Sequence, residues 1–291
     1  MPVTHTRIPL PESFDRDTFL DFHRRDGEGT AERVDGQTLI KGLSLDGPAM
    51  LTVRFRPRSV QATLDAPGLP PSPAPLVRHL LGLDQPVEAF EQRYARHREL
   101  GRLLKTQSGL RIPQCATPFE ALSWAIIGQQ ISVRAAVAIR RRFIVCFGPR
   151  LDNGLYCYPS PDRLANASVA DLKSCGFSVA KAETLCRVVQ ACRQSGLLPI
   201  PGDEATDEAL RERLLAIKGL GPWSVNYALL RGYADLDGSL HGDVAVRKAL
   251  QRLLRREQPM SARDTEQWLA GFSPWRALVA AHLWRSLSLS A

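Results

Sequence analysis

The stretch Leu214–Ser224, which reads LLAIKGLGPWS, contains residues whose types and spacing predict a binding function. A helical pattern ends here, and Pro222 stands near the first position of the next helix, where its missing N–H costs little. Gly219 and Gly221 can both adopt positive φ, and neither places a Cβ between the main chain and a ligand. The free N–H groups and dipole of the second helix therefore predict a phosphate site. A glycine-capped connection between two helices is the alternative, because G-x-G alone is common.

An acidic residue, Asp243, follows the second helix and a loop that reads YADLDGSLHG. It precedes an apolar-periodic helix and occupies the position of an N-cap. A helix N-terminus favours the ionised carboxylate, which is the form that stabilises a developing positive charge. Capping alone is the alternative interpretation. His241 lies close in sequence, but we interpret it as a loop histidine without a catalytic role.

The hairpin and the following loop resemble the helix-hairpin-helix base-excision DNA glycosylase superfamily. The resemblance implies that Asp243 is the catalytic aspartate and that an N-glycosidic bond breaks through an oxocarbenium-like sugar. It also implies contacts of Gly219, Gly221 and Trp223 with the DNA backbone. In bifunctional members a lysine at the position of Trp223 attacks the sugar as an amine, which an indole cannot do. We therefore expect a monofunctional enzyme that uses water and has no AP-lyase activity.

Within this superfamily, residues 110–136, 161–185 and 273–284 resemble the bacterial DNA-3-methyladenine glycosylase II family, the inducible alkylbase type. The resemblance implies a substrate pocket formed by four aromatic residues: Trp223, Tyr227, Trp284 and Phe22. Purines methylated at N3 or N7 are cationic, and aromatic faces attract such a cation by about 0.5–2 kcal/mol per well-placed ring. We therefore expect a glycosylase that flips out and hydrolytically excises alkylated purines of the 3-methyladenine and 7-methylguanine type.

Two further positions follow from the resemblance. The family often places a leucine wedge where this chain has Gln130, so that either Gln130 or the adjacent Ile131 would fill the gap left by the extruded base. The superfamily hairpin also often binds a monovalent cation (Na⁺ or K⁺) through main-chain carbonyls, here those of Leu215, Ile217 and Leu220. No cofactor is expected to be required beyond this possible ion.

The composition is consistent with a nucleic-acid partner. The chain has 38 Lys and Arg against 30 Asp and Glu, a formal net charge of +8, and a positive surplus favours polyanions. The six cysteines form no C-x-x-C pair, which argues against zinc and iron–sulfur sites. Neither a signal peptide nor a membrane span is recognisable. We expect a cytoplasmic, nucleoid-associated bacterial monomer that binds damaged double-stranded DNA and no membrane.

The periodicity predicts an α+β fold with two domains. Residues 32–66 predict short strands, and a helical pattern follows from about Leu76 to Leu104. From Thr117 onward the pattern is helical throughout, with one long apolar stripe that ends at Gly148. We expect a mixed α/β domain over residues 1–112, TATA-binding-protein-like by the resemblance, and an all-α glycosylase domain over residues 113–291.

Two other functions remain open at this point. A non-catalytic helix-hairpin-helix module would bind DNA without releasing a base. A glycosylase for oxidised or deaminated bases would share the hairpin and Asp243 but act on other lesions. Base release from a panel of damaged oligonucleotides distinguishes the three functions.

Overall fold

The computed structural model describes residues 3–67, 72–198 and 208–288. Within these residues the strands form one antiparallel sheet in the order β1-β5-β4-β3-β2. The strands are β1 Val3–Pro9, β2 Glu32–Asp35, β3 Thr38–Ser44, β4 Pro48–Arg56 and β5 Ser59–Asp65. The predicted strands between residues 32 and 66 are thus confirmed. β1 was not predicted, because its sequence VTHTRIP shows no clear alternation of apolar and polar residues and only Ile8 of this edge strand is buried.

One face of the sheet packs against two helices, α1 (Arg16–His23) and α2 (Ala74–Leu81). Their apolar residues share a core with alternate residues of β3, β4 and β5, as period-2 burial requires. The helical pattern predicted from about Leu76 to Leu104 is confirmed, and it comprises three helices: α2 is followed by α3 (Val87–Tyr94) and α4 (Leu100–Thr106). Gly82 ends α2 in the left-handed conformation, with φ +63°, and α3 begins after Pro86.

The rest of the described chain is helical, as predicted. The helices are α5 Pro118–Gly128, α6 Val133–Phe147, α7 Val169–Ser174, α8 Val179–Ser195, α9 Glu208–Leu215, α10 Pro222–Tyr233, α11 Val244–Leu253, α12 Ala262–Ala270 and α13 Arg276–Ser288. The apolar stripe expected to run on to Gly148 is broken between α5 and α6, where Ser132 caps α6 with its side chain. No helix in the described part of the chain is long and apolar enough to span a membrane.

Helix α10 lies at the centre of the helical region, between two apolar cores. One core joins α5, α6, α8 and α9 to α10, and the other joins α3 and α4 to α10 and the helices that follow it. Gly232 allows close packing on α5, since a Cβ there would lie 3.0 Å from the Pro118 Cα. The division of the chain after residue 112 stays a prediction.

A buried charged cluster connects the sheet to the helices. The Lys41 Nζ donates to Glu32 Oε2 at 2.7 Å and to Glu120 Oε1 at 2.9 Å. Arg140 adds hydrogen bonds to both carboxylates, and His23 Nδ1 lies 3.0 Å from Glu32. Burial alone would lower the pKa of Lys41, but Glu120 and Glu32 raise it above its usual value. Burial likewise opposes ionisation of Glu32, yet Lys41 and Arg140 hold its pKa well below its usual range.

Candidate active site

The hairpin between α9 and α10 adopts the predicted helix-turn-helix geometry. Gly221 is the N-cap of α10, and Pro222 occupies its first turn. Gly219 has φ +102°, and a Cβ there would lie 1.9 Å from Thr184 Oγ1, so that only glycine fits. Gly221 does not use the positive φ that glycine permits: this residue has φ −103°. No protein atom lies within 4 Å of a Cβ built on Gly221, so the main chain at the start of α10 is open to a ligand.

Asp243 is the N-cap of α11, as predicted, and its carboxylate accepts four N–H donors. Oδ1 accepts from the main-chain nitrogens of Ala245 at 2.8 Å and Val246 at 3.0 Å. Two indoles also donate: Trp223 Nε1 lies 2.9 Å from Oδ2 and Trp284 Nε1 lies 3.2 Å from Oδ1. A carboxylate satisfies this arrangement because it only accepts hydrogen bonds. The side chain is half-buried and therefore reachable from solvent.

The predicted aromatic residues meet beside this carboxylate. The rings of Trp223 and Tyr227 lie 5.5 Å apart on one face of α10, and those of Tyr227 and Trp284 lie 6.1 Å apart. Tyr227 is buried, and its hydroxyl accepts a hydrogen bond from Trp124 Nε1 at 3.0 Å. Sequence reasoning missed Trp124, because an aromatic residue in the apolar stripe of α5 looks like any other core residue. Tyr227 thus connects the carboxylate end of the site to α5.

Phe22 reaches this aromatic group through a buried arginine, Arg231. The guanidinium carbon of Arg231 lies 4.5 Å from the Phe22 ring centroid, 5.8 Å from Tyr227 and 5.9 Å from Trp284. Its Nη1 donates to the Pro113 carbonyl at 2.8 Å, and its Nε is buried without a partner. A cation of the protein, the Arg231 guanidinium, thus already lies over three of the four predicted pocket rings.

The turn between α5 and α6 lies against the hairpin. Gln129 Nε2 donates to the Gly219 carbonyl at 3.0 Å and to Ser224 Oγ at 2.8 Å. The two wedge candidates, Gln130 and Ile131, follow at the exposed tip of this turn, where Gln130 has φ +56°. The structure brings both beside the hairpin and does not distinguish between them.

The remaining candidates are His241 and the three main-chain carbonyls considered for a cation. His241 Nδ1 lies 3.0 Å from Ser239 Oγ and not against Asp243. Of the three carbonyls considered for a cation, that of Ile217 accepts a hydrogen bond from Leu220 N at 3.0 Å and retains one lone pair. Within residues 3–67, 72–198 and 208–288, no group of three or more His, Cys, Asp or Glu side chains is placed to hold a metal ion.

This arrangement supports a defined chemistry. A carboxylate at a helix N-terminus stabilises a cationic centre or accepts a proton from water. The rings beside it offer flat apolar faces for a planar group. The hairpin presents free main-chain N–H groups to an anion close by. The site therefore suits a ligand that combines a phosphate, a planar ring and a reaction centre between them.

Comparison with known proteins agrees with this geometry. Residues 123–274 match the family model described as "HhH-GPD superfamily base excision DNA repair protein". This range includes the hairpin and Asp243, but neither Phe22 nor Trp284. Over 64% of its length the chain is 35% identical to DNA-3-methyladenine glycosylase 2 of Escherichia coli (strain K12), of which 63% is covered. The chain thus spans less than two thirds of that relative's length.

Two solved structures share the fold. A 3-methyladenine DNA glycosylase from Archaeoglobus fulgidus superposes with a TM-score of 0.81 and 22% identity, over 96% of this chain and 97% of that one. The Schizosaccharomyces pombe 3-methyladenine DNA glycosylase in complex with abasic DNA gives a TM-score of 0.59 and 27% identity, over 68% of this chain and 95% of that one.

Proposed function

Because the chain belongs to the HhH-GPD superfamily of base excision DNA repair proteins, we propose that it is a DNA glycosylase that removes alkylated purines from damaged double-stranded DNA. The observation that carries the proposal is the half-buried Asp243 carboxylate beside the hairpin, held by the indole N–H groups of Trp223 and Trp284. The three relatives reported above are named 3-methyladenine glycosylases, which supports the substrate class.

In the proposed reaction the target nucleotide leaves the base stack and its base enters the aromatic site, while the hairpin N–H groups hold a backbone phosphate. The C1′–N bond then breaks, and its electron pair leaves with the base. Asp243 stabilises the cationic sugar electrostatically. A water oxygen bonds to C1′ and gives up its proton to the carboxylate or to solvent.

Alkylated purines suit this site because they are good leaving groups. A purine methylated at N3 or N7 is positively charged, so its departure as a neutral base needs no general acid. In the structure the hydrogen-bonding neighbours of Asp243 are main-chain and indole N–H groups, none of which is a general acid. Release of a base that must first be protonated would require an additional donor.

We also propose that the enzyme has no AP-lyase activity, because Trp223 stands where the resemblance places the lysine of bifunctional members. A lyase forms a Schiff base between an amine and C1′, which borohydride reduces to a stable adduct. We expect no such adduct with an abasic or lesion-containing duplex. A trapped complex would contradict this part of the proposal.

Several earlier expectations remain proposals of the same kind. They include a monomeric state, a cytoplasmic location, a monovalent cation at the hairpin carbonyls, and the likeness of the N-terminal sheet to the TATA-binding protein. The five-stranded antiparallel sheet with helices on one face supports the last of these. The lone pair that remains on the Ile217 carbonyl is compatible with the cation.

The test of the function is free-base release from duplexes that carry methylated, oxidised or deaminated bases. We expect release of 3-methyladenine and 7-methylguanine and loss of that release in Asp243→Asn. Release of oxidised bases alone would favour the alternative glycosylase. Tight binding of damaged DNA with no release of any base would favour the non-catalytic DNA-binding module.

A further inference from the structure

A cavity adjoins the aromatic site on the side away from Asp243. It lies between α1 and the helices α5 and α6, and its volume is about 420 Å³ including the part open to solvent. Phe22 and Trp124 form its aromatic walls. Trp124 hydrogen-bonds to Tyr227, and Phe22 contacts the Arg231 guanidinium that also faces Tyr227. Two wall residues of the cavity therefore contact the group of side chains beside Asp243.

The charged side chains of the cavity wall differ in whether their hydrogen-bonding groups are free to bind a ligand. Glu32, Glu120 and Arg140 face the cavity but bind one another and Lys41 in the buried charged cluster. Arg25 is different: among the described residues it makes neither a hydrogen bond nor an ion pair, and it is exposed. Its guanidinium is the charged group of the wall with all its donors free.

Arg25 contacts an aromatic ring, and no described residue forms an ion pair with it. Its guanidinium carbon lies 4.9 Å from the centroid of Phe22, the same ring that contacts Arg231 at 4.5 Å. Two cations thus lie beside one ring at the inner end of the site. A guanidinium carries only donors, so the free one, that of Arg25, attracts a hydrogen-bond acceptor.

We propose that Arg25 is a specificity-determining residue that donates a hydrogen bond to the edge of the extruded base. This inference rests on the proposed function and ranks the substrates within it: purines with a carbonyl oxygen at C6 are preferred to purines with an amino group there. With the sugar at Asp243 and the ring beside Tyr227, the edge opposite the glycosidic bond points toward the cavity. A 6-oxopurine presents an acceptor to Arg25 there, whereas the 6-amino group of an adenine derivative presents N–H donors.

Competition within one reaction tests the assignment. DNA treated with dimethyl sulfate contains 7-methylguanine, which has the C6 carbonyl, and 3-methyladenine, which does not. The ratio of the two released bases at early times reports the ratio of their kcat/KM values and does not depend on how much enzyme is active. We expect Arg25→Met to lower the 7-methylguanine to 3-methyladenine ratio about tenfold, the effect of one lost base-edge hydrogen bond.

The neighbouring residue provides a matched control. Arg24 is also exposed and carries the same charge, but it binds Asp21 and the Gly36 carbonyl instead of the cavity. Arg24→Met removes the same attraction for DNA phosphates, and we expect it to leave the ratio unchanged.

The outcomes separate the inference from the function on which it rests. An unchanged ratio in Arg25→Met overturns the assignment. An equal loss for both bases, together with a shallower salt dependence of DNA binding, also overturns it and makes Arg25 a phosphate contact. If the wild-type protein releases neither base, the proposed function fails and this assignment fails with it.

Discussion

Replacing Asp243 by asparagine tests the centre of the proposed mechanism. The variant keeps the shape of the side chain and its role at the N-terminus of α11, because asparagine caps helices as well as aspartate does. Its carbonyl can still accept from Ala245 and Val246. The amide nitrogen then replaces Oδ2 and faces the Trp223 N–H, now 2.9 Å from that oxygen, so one hydrogen bond to a charged acceptor is lost.

The effects on stability and on catalysis differ in size. Loss of the Trp223 hydrogen bond should lower the free energy of unfolding by about 1–2 kcal/mol, since bonds to charged groups contribute roughly 1.5–3 kcal/mol and this site is partly exposed. A carboxylate about 4 Å from a developing positive charge contributes about 4 kcal/mol at the effective dielectric constant of a protein surface. The rate of base release should therefore fall about a thousandfold.

Single-turnover release of 3-methyladenine with excess enzyme measures the chemical step, and fluorescence anisotropy measures DNA affinity. We expect unchanged or slightly tighter DNA binding, because a negative charge is removed. Asp264→Asn is the control, since it removes the same charge from the exposed first turn of α12. Release by Asp243→Asn within tenfold of the wild-type rate would refute the electrostatic role of this carboxylate.

Three further predictions concern the supporting structure. Gly219→Ala should lower the free energy of unfolding by about 3 kcal/mol, because the new Cβ would clash with Thr184 and because φ is positive there. The Cβ of Gly221→Ala meets no protein atom. This variant should therefore leave urea unfolding unchanged and weaken DNA binding, as measured by fluorescence anisotropy. Lys41→Met should cost about 3–5 kcal/mol in urea unfolding, because it leaves two buried carboxylates without their amine; a cost below 1 kcal/mol would contradict this. Burial lowers the pKa of His282 to about 3, so its neutral form stabilises the fold less and less as the pH falls below the unfolded value of about 6.5; the loss should reach about 2 kcal/mol at pH 5 and be absent in His282→Gln.

The parts of the site that the sequence predicted are those defined by residues close together in the chain. The hairpin is defined by glycines and a proline within a few residues, and Asp243 stands directly before an apolar-periodic helix. Trp223 and Tyr227 share a face of α10 because they are four residues apart. Their positions therefore followed from spacing, and the meeting with Phe22 and Trp284 followed from the family resemblance.

The parts that the sequence did not predict depend on contacts between distant segments. Trp124 reaches Tyr227 across two helices, and nothing in the stripe of α5 distinguishes it from a core residue. Arg231 and Lys41 look like surface residues in the sequence, because the Pro113 carbonyl that Arg231 binds and the Glu120 carboxylate that Lys41 binds lie far away in the chain. The backbone angle φ also depends on the surrounding structure. Gly221 therefore adopts an extended conformation with negative φ, although glycine also permits positive φ.

The two hydrogen bonds of Gln129 bear on the order of events when DNA docks. They connect the exposed tip that carries Gln130 and Ile131 to the Gly219 carbonyl of the hairpin and to the Ser224 hydroxyl of α10. Binding of the DNA backbone by the hairpin and insertion of Gln130 or Ile131 into the DNA duplex would then occur together, as one rigid unit, rather than in two successive steps. A fluorescent base analogue beside the lesion should accordingly report a single kinetic phase, and cutting the tether with Gln129→Ala should split it into two.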